Sequence, residues 1–208
     1  MFDIVELGLF SFWIFVSLSD VNGACLAEAM YGAGKNKDNV IYFTIGTGIG
    51  VGVYLNGKLQ HGLLHPEGGH VFIKKHEKDN YEGCCIFHHD CLEGLASGPA
   101  IEGRFKVKGE LLENNKEFID IESYYIAQGV CDAIYAYSPE IVILGGGVMH
   151  TKGLIEEIRN KVVNLLNGYI QAKEITNDID HYVVLPELKD DAGALGSLKL
   201  ASLEYFGK

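Results

Sequence analysis

The sequence predicts an α/β domain, and three observations predict it. Apolar strand-like segments alternate with helical ones through the second half of the chain. Two of those strand segments run directly into glycine-rich turns, at 44–52 and 145–147. Between them lies a polar stretch, 75–90, dense in Cys and His and without periodicity.

The elements follow in order. Residues 9–18 (LFSFWIFVSL) form an apolar run preceded by Asp3 and Glu6. The run is too short to span a membrane and lacks the positive flank of a signal peptide, so it reads as a buried strand or an atypical leader. Residues 22–31, rich in Ala with Leu and Glu, predict a helix ended by Gly32 and Gly34. Residues 40–45 predict a strand. Residues 51–55 and 58–61 predict a hairpin around Asn56-Gly57, because both residues tolerate the positive φ of a type I′ turn. A further strand is expected at 71–74, followed by the Cys/His-rich loop. Pro99, after Ser97, opens a helix toward Lys106. Residues 119–137 have the apolar spacing of a long helix. Residues 140–144 predict a buried strand leading into Gly145-Gly146-Gly147. An amphipathic helix at 154–166, a short strand at 182–185 and a closing helix at 192–205 complete the chain.

With 208 residues, 48% hydrophobic and 22% charged, the chain can bury an ordinary core. Its net charge of -11 argues against nucleic-acid binding, which needs a basic face. Five cysteines, three of them at 84, 85 and 91, argue against a disulfide framework and for a reducing, cytoplasmic compartment. No membrane association is expected.

Three groups of residues carry chemistry. Cys85-x-x-His88-x-x-Cys91 places three metal-ligand types within seven residues, and His70 offers a fourth. Four N/S donors on short loops suit tetrahedral zinc, which would hold a loop that has few core contacts. His76, Cys84 and His89 lie in the same region, so spacing alone leaves the set ambiguous. The 44–52 segment, TIGTGIGVG, lets a backbone approach a phosphate, with Thr44 and Thr47 adding hydroxyls, or is simply a glycine-rich strand turn. It is neither a Rossmann fingerprint nor a P-loop. The triple glycine at 145–147 suits an anion at a helix start or a tight turn. Asp20 precedes Val21-Asn22 at a helix start, as an N-cap or as a general base toward a hydroxyl. Glu67 and Glu93 flank the Cys/His loop, as surface charge or as acceptors for sugar hydroxyls.

Taken together, Asp20-Val21-Asn22 before an Ala-rich helix, TIGTGIGVGVYLNGKLQHG, HPEGGH, CxxHxxC and LEGLASGPAIEGR resemble the ROK family of sugar kinases and repressors. The interval from His70 to Cys85 resembles its fructokinase branch, and ILGGGVM at 143–149 and DAGALGSLKLA at 191–201 resemble its nucleotide-side segments. The resemblance implies an actin-like ATPase (ribonuclease H-like) fold and ATP-dependent phosphorylation of a hexose, fructose favoured, with Mg²⁺. It implies Asp20 as catalytic base; Asn22, Glu67, His70 and Glu93 at the sugar; and Thr47, Pro99, Gly145, Gly146, Gly147, Val148 and Met149 at the nucleotide. It implies structural Zn²⁺ on His70, Cys85, His88 and Cys91, and a homodimer is common in the family. Family members begin with a small domain of roughly a hundred residues that carries a phosphate-gripping turn. Residues 1–18 do not resemble it. The expectation is therefore a leader at 1–18 and a kinase C-terminal portion at 19–208, with its zinc loop at 70–91. An inactive sugar- or nucleotide-binding remnant is the alternative. A repressor is disfavoured by charge and by the lack of a helix-turn-helix.

Overall fold

A computed structural model describes residues 20–206, and for Asp20, Asp190, Leu200, Ala201 and 203–206 it describes the backbone alone. The apolar run at 9–18 and the leader expected at 1–18 lie outside the described residues. No helix among those described is long and apolar enough to cross a membrane.

Among the described residues the core is a five-stranded mixed sheet of order β3-β2-β1-β4-β5. Strands β1 (Val40–Ile45), β2 (Ile49–Leu55) and β3 (Lys58–Leu59) form an antiparallel meander. Strand β4 (Ile141–Gly145) joins β1 in parallel, and β5 (Val183–Val184) joins β4 in parallel. The β2–β3 turn has the positive φ values expected of Asn56 (54°) and Gly57 (75°).

Alternation along the strands builds two cores. Ile41, Phe43, Ile45, Val142 and Leu144 face one side. There they meet α4 (Lys116–Tyr137) and α5 (Leu154–Leu166). Val40, Tyr42, Ile141 and Ile143 face the other. Here α1 (Asp20–Tyr31) covers them, with Val21, Cys25 and Ala29 inward, and α8 (Ala192–Phe206) lies against α1. All five residues of β4 are buried, as suits a strand covered on both faces.

Two glycines of the 44–52 segment have a packing role. A Cβ on Gly52 would come within 2.5 Å of Cys25 Cβ, and one on Gly50 within 3.2 Å of Val21. Glycine in β2 is what lets α1 lie close to the sheet. The same closeness recurs between helices, where Gly196 abuts the Gly23 carbonyl.

Between β3 and α4 lie two short helices, α2 (Leu92–Ala96) and α3 (Gly98–Phe105), and Pro99 sits in the first turn of α3 as expected. Helix α4 is capped by Asn115, whose side chain accepts the Phe118 N–H at 3.1 Å. After α5 come two single turns, α6 (Lys173–Thr176) and α7 (Ile179–Tyr182).

The structure differs from the sequence reading in several places, and β3 ends at Leu59 where a strand to residue 61 was expected. Residues 71–74 form no strand; only Phe72 makes an isolated bridge, to Cys91. Their backbone is satisfied elsewhere: Lys74 exchanges hydrogen bonds with the Gln128 amide, and Val71 C=O accepts from Leu92 N–H. Tyr182 closes α7, so only Val183 and Val184 of the expected 182–185 strand pair with β4. Helix α2 had no sequence forecast, because five residues carry too little periodicity.

Candidate active site and metal centre

His70 closes a 3-10 turn, Gly68–His70, that is pressed onto β2. A side chain on Gly69 would overlap the Ile49 carbonyl, and one on Gly68 would meet Val51 at 2.7 Å. The paired glycines thus let the turn bring His70 in. Cys85, His88 and Cys91 sit on a tight loop closed by Cys85 and His89, which exchange backbone hydrogen bonds of 3.3 and 2.9 Å. His89 supports the closure with φ of 57°, and Gly83, at 101°, fits against its carbonyl.

The four donors of His70, Cys85, His88 and Cys91 all lie within 4.8 Å of one another. Cys85 Sγ is 3.8 Å from both His70 Nδ1 and His88 Nδ1, and Cys91 Sγ is 3.5 Å from His70 Nδ1. Tetrahedral zinc with ordinary Zn–S and Zn–N bonds requires S···N edges of about 3.5 Å, so this donor set fits the ion. Burial raises the Cys85 thiol, but backbone N–H groups of His88 and Phe87 and the Cys91 side chain outweigh it and hold the thiol below its usual pKa. Burial instead pushes Cys91 up to about 11. Two neighbouring thiols therefore resist carrying two negative charges by themselves, and a divalent cation between them would remove that resistance. The ambiguous neighbours point elsewhere. His76 Nε2 lies 3.6 Å from Asp120, Cys84 Sγ lies 3.6 Å from Ser97 Oγ, and His89 is exposed.

The loop has a second anchor. Asp79, 7% exposed, accepts from Arg104 Nε at 2.9 Å, from the Tyr125 hydroxyl at 2.6 Å and from Tyr81 N–H at 2.9 Å. Arg104 also donates to Leu95 C=O at 2.7 Å and lies over the rings of Tyr81 and Tyr125. Glu122 is fully buried near this pair, with neither carboxylate oxygen bonded by protein. Burial raises its pKa well above the usual carboxylate range, with Arg104 opposing and Asp79 adding to the rise. Sequence reasoning missed this network. Its one available signal was Glu122 itself, a charge on the apolar stripe of α4 beside Ile121, Tyr125 and Ile126.

A separate cleft of about 600 Å³ opens where three glycine-bearing turns meet. Gly98 N–H donates to Gly46 C=O at 2.7 Å, and a Cβ on Gly46 would lie 4.0 Å from Gly147 N. Thr47, Pro99, Gly147 and Val148 line this cleft. Gly145 and Gly146 stand behind it: Gly145 abuts the Tyr42 hydroxyl, and Gly146, at φ 93°, packs on Ile45. Met149 is buried in the main core. Lys108, Glu110 and Glu113 also border the cleft, and no sequence signal marked them.

The remaining expected residues are placed as follows. Glu93, in α2, accepts the Ile49 N–H at 3.0 Å, tying the end of the Cys/His loop to the β1–β2 turn. Glu67 precedes the His70 turn and lies 2.9 Å from His65 Nε2. Asn22 is buried in α1 with its side-chain oxygen unbonded by protein. Asp20 opens α1, and its side chain lies outside what is described.

Comparison with known proteins finds relatives along most of this chain. A fructokinase of Streptococcus mutans is 40% identical over 191 residues, covering 90% of this chain and 63% of the relative. A fructokinase of Zymomonas mobilis is 41% identical over 189 residues, covering 88% and 60%. This chain thus spans about three-fifths of the length of these relatives. A crystal structure of a ROK hexokinase from Thermus thermophilus superposes with a TM-score of 0.75 at 26% identity, covering 91% of this chain and 65% of that one. The ROK glucokinase of Streptomyces griseus, solved with glucose and AMPPNP, shares the fold with a TM-score of 0.68 at 23% identity over 88% of this chain and 66% of that one. The actin-like architecture expected from sequence is therefore present. The ROK family model matches residues 13–204, and the chain belongs to the ROK family.

Proposed function

We propose that this chain provides the sugar-side and nucleotide-side portion of an ATP-dependent hexose kinase, with fructose as the acceptor and fructose 6-phosphate as the product. The observation that carries the reading is the meeting of Gly46-Thr47, Gly98-Pro99 and Gly147-Val148 around one cleft, a backbone-lined space suited to phosphates. The fructokinase relatives support the sugar, and the AMPPNP-bound neighbour supports the nucleotide. In this reading Asp20 accepts the proton of the sugar hydroxyl as its oxygen attacks the γ-phosphorus and ADP departs. Asn22, Glu67, His70 and Glu93 orient the sugar; Thr47, Pro99, Gly147 and Val148 border ATP, with Gly145 and Gly146 shaping the turn behind them. Magnesium, bound with ATP, neutralises phosphate charge. His70, Cys85, His88 and Cys91 would hold a structural zinc, which fixes the loop and hence the His70 backbone.

The test is ATP-dependent phosphorylation of fructose by zinc-loaded protein. Wild-type turnover that falls at least about 100-fold in Asp20→Asn, as removal of a general base predicts, supports the reading. Turnover unchanged in that variant removes Asp20 from the role. A folded, zinc-loaded wild type without turnover would instead mark the chain as a sugar- or nucleotide-binding portion.

A further inference from the structure

Glu28 is fully buried, on the last turns of α1. A carboxylate there is costly unless its oxygens are filled, and both are. Oε2 accepts from Ala33 N–H at 2.8 Å and from Glu187 N–H at 3.2 Å, while Oε1 accepts from Leu188 N–H at 2.8 Å. Gly32 abuts the carboxylate and leaves no room for a side chain of its own. Two of the three donors come from about 160 positions further along the chain.

The segment held in this way has a second contact. Pro186, next to Glu187, places Cγ 3.4 Å from the position of a Cβ on Gly145, the residue that ends β4 and starts the triple-glycine turn. A continuous path therefore runs from α1 through the Glu28 carboxylate and the 186–188 backbone to the back of the turn, whose front residue, Gly147, lines the cleft.

We propose that Glu28 is a positioning residue for the nucleotide, holding the 186–188 segment against the triple-glycine turn and so fixing the cleft wall. The nucleotide part rests on the kinase reading above. Because three N–H donors converge on two oxygens, glutamine cannot fully replace it: its oxygen serves one position, but its NH2 faces an N–H donor at the other. Glu28→Gln is therefore damaging although it conserves size, unlike a site where size alone matters.

The test is hydrogen exchange of the intact chain, wild type against Glu28→Gln, together with titration of the non-hydrolysable analogue AMPPNP. Exchange is expected to accelerate at 184–190 and also at 145–151, with 85–91 unchanged, and AMPPNP is expected to bind about tenfold more weakly. Acceleration confined to 184–190, or AMPPNP binding as in wild type, overturns the proposal. If Glu28→Gln does not fold, Pro186→Gly leaves the clasp intact and removes only the contact with Gly145. It should loosen 145–151 and weaken AMPPNP binding, and an unchanged turn overturns the proposal. If wild type binds no AMPPNP, the kinase reading of the cleft fails, and exchange at 145–151 alone decides whether the clasp reaches the turn.

Discussion

The sheet and the Cys/His loop are held by different physics. Strands β1 and β4 are buried on both faces, and their order comes from many apolar contacts, each fully buried Ile or Leu contributing about 1.5–3 kcal/mol. The loop from Val71 to Cys91 exposes Phe72, Ile86 and Phe87 by three-quarters or more. Its order is concentrated at two points, the four-donor cluster at one end and Asp79 with Arg104 and Tyr125 at the other. Distributed contacts tolerate the loss of one member; concentrated ones do not.

The largest expected effect comes from breaking the concentrated side. Cys91→Ser should abolish zinc binding, a loss on the order of 10 kcal/mol of local binding free energy. Exchange protection should vanish at 85–91 but persist at 40–45, and zinc content read beside exchange checks both. Full zinc in the variant removes Cys91 from the ligand set.

A smaller but global effect is expected on the distributed side. Ile143→Ala deletes a fully buried side chain between β4 and α1 and should cost about 2–5 kcal/mol. Urea unfolding should shift as one transition, with zinc content unchanged below that transition. Separate loss of the loop would show that the two regions share more than this comparison allows.

The smallest effect is expected where the regions meet. Glu122 has a folded pKa raised above its ordinary value, so protonation favours the folded state. That stability is fully present below the unfolded pKa of about 4.5 and is lost as pH rises through the raised folded value. Glu122→Gln, neutral throughout, should therefore match wild type near pH 4 and become relatively more stable toward pH 8. Thermal melts across that range check it, and a gap that is constant with pH would mean Glu122 is not the group responsible.

The same division governs what was legible in the sequence. Strand β1 and helix α5 were readable to the residue, because alternation and the helical stripe record which face is buried. The four candidate metal donors were picked out by residue type and spacing, and the structure places their ligand atoms within 4.8 Å of one another. The 71–74 segment was misread because its backbone is satisfied by a side chain on α4, a long-range fact with no local trace. Asp79 and Arg104 carried no local signal, since only the fold brings them together across 25 positions. The 44–52 glycines were only half readable: Gly46 lines a cleft, while Gly50 and Gly52 make room for a helix, and sequence presents both as one motif.

The close seat of Gly196 on the Gly23 carbonyl also bears on synthesis in the cell. Helix α1 leaves the ribosome long before α8 exists. At about 5–20 residues per second, the two glycines are made roughly 10–35 s apart. During that interval one face of α1 and the acceptor oxygens of Glu28 await partners from the far end of the chain. Synthesis of α8 is what covers that face of α1.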